Sequence, residues 1–156
     1  MLYLHISLFF TLLIASPLLA QDQPPAKTDQ AAIVAFAQKA AVQSLNFHQG
    51  DAASLTQARP DFTDDGWKGF MKHIEGWLDQ KGAPTFTSSF VPSRDAVVVG
   101  QENGTVHLRI PGTLKQTQNK SSTTYRAAID VYAGGNPVKI QRLEQITCAG
   151  ASTACQ

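Results

Sequence analysis

Charge is scarce in this chain and nearly balanced. Lys and Arg number 13 and Asp and Glu 12, together 16% of 156 residues, for a net charge of +1. Soluble domains usually carry about a quarter of their residues charged. A near-neutral chain has no electrostatic footprint for a polyanion, so nucleic acid is not an expected partner. Histidine is equally sparse: His5, His48, His73 and His107 are scattered, and no pair has the i, i+4 ligand spacing. No H-E-x-x-H occurs, and the cysteines offer no C-x-x-C, which leaves no metal set. A G-x-S-x-G elbow, a phosphate-binding loop and a dinucleotide fingerprint are all missing, so neither an enzyme nor a cofactor is expected. Eleven Gly and eight Pro are ordinary counts that exclude collagen-like and low-complexity classes. No repeat of 20–50 residues occurs.

Long apolar runs are also missing, with one exception at the start. Residues 1–20, MLYLHISLFFTLLIASPLLA, contain no Lys, Arg, Asp or Glu. The run Ile6–Ala15 is broken by Ser16-Pro17, small Ala20 follows, and then polar Gln21-Asp22-Gln23. That is the layout of a secretory signal peptide with cleavage expected after Ala20, although the first residues carry no Lys or Arg. The alternative is an uncleaved inner-membrane anchor facing the periplasm, for which the run is short against the ~20 residues of a bilayer span. The expected location is periplasmic or secreted.

Two cysteines remain, Cys148 and Cys155, separated by AGASTA. Metal binding would need further ligands, and a redox pair would read C-x-x-C beside a βαβ pattern. In an oxidising compartment an isolated even pair reads as a structural disulfide, here in a tail over 148–156.

The rest of the chain divides by periodicity. Residues 21–28 are a polar, Pro24-Pro25 linker, and 29–147 form one domain. A helix capped at Thr28 or Asp29 is expected to run to about Phe47, with Ile33, Phe36, Ala37, Ala40 and Phe47 near one face. A second helix is capped by Thr63 and complemented by Asp64 and Asp65 in its first turn. Phe62 and Trp67 have the spacing of a hydrophobic staple. Trp67, Phe70, Met71, Ile74, Trp77 and Leu78 make an apolar stripe that is expected to continue to Lys81-Gly82 and to bury both tryptophans together. After Pro84 the period becomes two. Strands are expected at 85–91, 94–101, 105–117, 123–133 and 138–147, joined as a meander. Helices first and an antiparallel sheet afterwards is an α+β fold: N-terminal helices packed on a curved sheet of four to five strands, nuclear-transport-factor-like or cystatin-like.

Some polar groups invite a chemical reading. Asp61, Asp64 and Asp65 are accounted for as cap and dipole complement. Tyr125, Asp130, Tyr132 and Glu144 could form an acid/base set in a cone-shaped pocket, but Asp130 and Tyr132 share with Arg126 what reads as an exposed, cross-strand-paired strand face. Asn103-Gly104-Thr105 and Asn119-Lys120-Ser121 match the glycosylation sequon, which matters only in a eukaryotic secretory route. Arg94–Gln101, with Val97, Val98 and Val99 at its centre, is a candidate interaction edge if it borders the sheet.

From Phe62 to Phe70, the sequence FTDDGWKGF resembles the F-T-x-x-G-W-x-x-F signature of the periplasmic domain of the DotI/IcmL/TraM proteins of type IVB secretion and conjugation systems. Leu108–Leu114, with Pro111, and the strands TTYRAAIDVYAG and PVKIQRLEQI are similar to the same family, so the resemblance covers roughly residues 30–147. Phe62, Thr63, Gly66, Trp67, Phe70 and Pro111 carry it. What it implies is a non-enzymatic scaffold or adaptor that binds other subunits of a secretion apparatus, or itself. The family's usual cytoplasmic tail and single membrane helix are replaced here by the signal-like segment and the cysteine-bearing tail. The alternatives are a small-ligand-binding module or a cone-pocket isomerase-like enzyme of the same fold.

Overall fold

The structure is a computed structural model, and it describes residues 27–148. The expected signal peptide and Cys155 lie outside the described residues. Helix α1 spans Lys27–Leu45, α2 Ala52–Thr56 and α3 Asp64–Ile74, with single 3₁₀ turns at Arg59–Asp61 and Glu75–Trp77. Five strands follow: β1 (Thr87–Pro92), β2 (Val97–Glu102), β3 (Thr105–Gln118), β4 (Ser121–Gly134) and β5 (Lys139–Thr147). All pairings are antiparallel, so the chain is an α+β fold with its helices packed on a five-stranded sheet.

The connectivity is not the expected meander. β1 and β2 do not pair with each other; they lie end to end along the same side of β3, β1 against Gly112–Thr117 and β2 against Thr105–Arg109. Pro111 sits at the gap between them. Its carbonyl accepts hydrogen bonds from the Ser93 N–H at 2.9 Å and the Ser93 hydroxyl at 3.2 Å. A residue's N–H and C=O point to the same side of an antiparallel strand, so the donor that proline lacks falls where no ladder bond is needed. Gly112 beside it is required by packing: a Cβ there would lie 2.5 Å from the Phe90 ring and from the Val91 carbonyl oxygen. The β2–β3 and β3–β4 turns are two-residue loops, Asn103-Gly104 and Asn119-Lys120, all four with positive φ. Such turns match the twist of hairpin strands.

Alternation sets the two faces of the sheet. Val106, Leu108, Ile110 and Leu114 of β3 and Ala127, Ile129, Val131 and Ala133 of β4 are fully buried on the helix side. α1 lays Ala37, Ala40, Ala41 and Leu45 on them. Alanine keeps the helix backbone near the strands, which a larger residue would push away. The helix begins at Lys27, ahead of the expected cap, and stops at Leu45, where Phe47 turns away to bridge Ser88.

The second long helix is also shorter than its apolar stripe. α3 ends at Ile74 and passes into the 3₁₀ turn that carries Gly76. The tighter turn rotates Trp77 off the stripe. Trp67 packs with Phe62 and Phe70 at ring separations of 5.5 and 5.4 Å, whereas Trp77 packs edge-on to Phe86 at 4.7 Å and to His73 at 5.6 Å. The two indoles, both half-buried against the same core, therefore sit in separate groups of aromatic rings.

Candidate interaction surfaces

The segment Phe62–Phe70 acts as a clamp between α3 and β5. The Thr63 hydroxyl accepts from the Gly66 N–H at 3.1 Å and caps α3, while the Thr63 N–H donates to the Ile140 carbonyl at 2.9 Å. Phe62 bridges Ile140 and is buried with Phe70. Gly66 rests on the β5 backbone: a Cβ would lie 2.5 Å from the Ile140 carbonyl oxygen and 2.8 Å from that of Gln141. Lys139 adds a bond from its ammonium to the Pro60 carbonyl, and Arg59 pairs with Asp64.

This clamp covers only part of one sheet edge. At the opposite edge β1 is covered in the same manner, by reciprocal bonds between Phe47 and Ser88 at 3.0 and 3.1 Å and by the Asn46 side chain accepting from the Phe90 N–H at 2.7 Å. Two stretches have no backbone hydrogen bond to a further strand or loop on their outer side among the described residues: β2, and β5 from Leu143 onward. Unpaired strand edges are sites of strand addition.

Val97, Val98 and Val99 occupy the β2 edge and are 46%, 39% and 50% exposed; Val91 of β1 is 62% exposed. Register places Val91 opposite Thr113 and Val97 opposite Arg109, on the sheet face turned away from the helices. A bulge at Val99 interrupts the pairing with β3. Along β5 an open groove of about 570 Å³ runs between the strand and α3, with Phe70 and Leu143 in its lining and Gly66 and Gly69 lowering the helical wall.

The polar residues do not converge on a cone pocket. Tyr125 lies on the helix side, its hydroxyl accepting from Gln145 Nε2 at 3.1 Å. Asp130, Tyr132 and Glu144 lie on the opposite face, in cross-strand rows. One row is His107, Tyr132 and Arg142, with the His107 ring stacked on Tyr132 at 4.2 Å and the Arg142 guanidinium over the same ring at 3.8 Å. The next is Arg109, Asp130 and Glu144. Asp130 is not exposed as its strand face suggested: it is 4% exposed and receives two 2.7 Å bonds from the Arg109 fork. His107 Nε2 lies 3.2 Å from Asp130 Oδ2, off the line of a well-formed hydrogen bond. Burial pushes the Asp130 carboxyl up, but the Arg109 bonds and charge, with His107 beside them, hold it below the ordinary carboxylate value. The Asp130 hydrogen bonds raise Arg109 in turn, against a smaller opposing effect of burial. A carboxylate held ionised by a bidentate guanidinium has the geometry of a structural ion pair.

Among the described residues no three His, Cys, Asp or Glu side chains meet as a metal set, and no helix is long and apolar enough to cross a membrane. Cys148 extends the β5 ladder, its N–H donating to the Arg126 carbonyl at 3.1 Å.

No protein-family profile matches the sequence, and no curated protein matches it significantly. Solved structures do match the fold. The periplasmic domain of DotI superposes with a TM-score of 0.64 at 14% identity, over 81% of this chain and 99% of that one. An IcmL-like type IV secretion system protein from Legionella pneumophila gives 0.64 at 12% identity, over 80% and 97%. A periplasmic fragment of TraM gives 0.61 at 13%, over 76% and 98%. The chain thus has the fold of these secretion and conjugation domains over nearly their whole length. At such identities the likeness is one of architecture.

Proposed function

We propose that this protein is an exported, non-enzymatic scaffold or adaptor that acts by binding other protein subunits, as a component of a type IVB secretion or conjugation apparatus would. The observation that carries the reading is the β2 edge. Among the described residues the large apolar side chains left exposed are Val91, Val97, Val98 and Val99, and all four lie along β1 and β2 on one side of β3. An apolar, unpaired edge is a liability unless a partner covers it. The structural likeness to DotI, IcmL-like and TraM domains supports the same reading. So does the absence of convergence among the tyrosines and carboxylates that an isomerase-like site would use.

In this reading residues 1–20 direct export and are removed, 21–28 link, 29–147 form the binding domain, and Cys148 and Cys155 close the tail. In this reading the sheet also curves around α1, as in nuclear-transport-factor-like domains. The motif Phe62, Thr63, Gly66, Trp67 and Phe70 holds α3 on β5, and Pro111 terminates the β1 and β2 ladders, so both have structural roles. The test is Val98→Lys. Affinity recovery from cross-linked native cells should return an envelope-assembly subunit or a second copy with the parent chain and not with the variant. Val98 is partly exposed, so thermal stability should stay within a few degrees. Undiminished recovery with Val98→Lys would reject the β2 edge as the contact.

A further inference from the structure

On the helix side of the sheet, the inward positions of β3 are apolar from Val106 to Leu114, and those of β4 from Ala133 back to Ala127. Beyond them the period of two continues while the chemistry changes. Gln116 and Gln118 take the next positions on β3, and Thr123 and Ser121 the facing ones on β4. These four line an open cleft of about 640 Å³ whose other wall carries Trp77 and Phe86. Their amides and hydroxyls make no side-chain hydrogen bond within the described residues. The Trp77 wall is anchored, since its carbonyl accepts from both the N–H and the hydroxyl of Thr85 at 2.7 and 2.9 Å.

The lining contains no charged side chain. An anion would find no countercharge there, a cation no carboxylate, and a lipid too few apolar walls. What the cleft offers is an aromatic wall and a row of neutral donors and acceptors, in a volume usual for small-ligand sites. Sugar rings need that combination: one face of C–H groups to lie against an aromatic surface, and hydroxyl or acetamido groups around the rim to pair with amides. We propose that this cleft binds a neutral glycan, with the half-buried Trp77, backed by the buried Phe86, supporting a sugar face and Gln116, Gln118, Ser121 and Thr123 reading its polar rim. It shares no residue with the β2 edge, so it stands apart from the protein-binding reading.

The experiment titrates the full chain with two neutral tetrasaccharides, one of β-1,4-linked N-acetylglucosamine and one of β-1,4-linked glucose. A capped, uncharged Gln/Ser/Thr peptide is the third probe. The Trp77 indole N–H, assigned by its loss in Trp77→Phe, is followed by NMR. At least one sugar should shift it saturably, with the same affinity at low and high salt because no charge is involved. Gln116→Ala and Thr123→Ala lie beyond the packed core, so they should keep the fold and weaken binding about threefold to tenfold each, the range for one lost hydrogen bond. No shift with either sugar at millimolar concentration, a shift unchanged in both variants, or a response to the peptide alone would overturn the proposal.

Discussion

Adding one methyl group at Gly66 should destabilise the protein, while adding the same group at Gly69, three residues along the same helix, should stabilise it. A Cβ at position 66 would lie 2.5 Å from the Ile140 carbonyl oxygen and 2.8 Å from that of Gln141, where about 3.4 Å is ordinary contact. Both obstacles are backbone of a strand paired to β4, so α3 must retreat by nearly 1 Å. That movement stretches the 2.9 Å bond from Thr63 to Ile140 and loosens Phe62 and Phe70 in the core. Overpacking of this kind costs about 1–3 kcal/mol and the strained hydrogen bond about 1 kcal/mol, against about 1 kcal/mol gained from the better helix propensity of alanine. The net for Gly66→Ala is a loss of about 1–3 kcal/mol. At Gly69 nothing lies within 4 Å of the added carbon, so only the propensity gain remains, up to about 1 kcal/mol. Urea unfolding of parent and both variants measures the three midpoints on one scale. A Gly66→Ala midpoint at or above that of the parent would refute the clamp, and equal losses at both positions would mean that glycine serves only helix flexibility.

Other outcomes follow from the ion pair and the chain ends. Asp130→Asn should cost about 3–5 kcal/mol, because it leaves the partly buried Arg109 without its countercharge, and the loss should vanish against the parent in acid. The sign follows from the lowered carboxyl: its contribution is complete above the unfolded value near 3.9 and fades as pH falls through the still lower folded value. Thermal scans of both proteins between pH 7 and pH 2 check it, and a difference that grows in acid would contradict the assignment. Phe70→Ala should cost about 3–5 kcal/mol in the same unfolding assay, since its ring is 2% exposed; a loss under 1 kcal/mol would move α3 off the core. Intact mass of the exported chain should show residues 1–20 absent and two hydrogens fewer than the reduced form, from one bridge between Cys148 and Cys155. Retention of the leader or of two free thiols would exclude the corresponding expectation.

Local chemistry made much of this molecule readable in one dimension. The Thr63 cap with Asp64 and Asp65 and the period-two runs after Pro84 depend on neighbours a few residues apart, and each was legible as such. So were the two faces of β3 and β4, because burial on one side writes an alternation into the sequence. Three features needed the third dimension. The α3 stripe continues past Ile74 in sequence, but the chain tightens there and Trp77 meets Phe86 of the following segment, a contact that helical periodicity does not encode. β1 and β2 share one side of β3 because Pro111 leaves a gap in its ladder, and nothing local announces which strands will meet there. Asp130 reads as a surface carboxylate until cross-strand register sets Arg109 and His107 around it. Side-chain period reports which face is covered; it carries no record of which strand lies beside which, and the ion pair, the open edges and the clefts all depend on that.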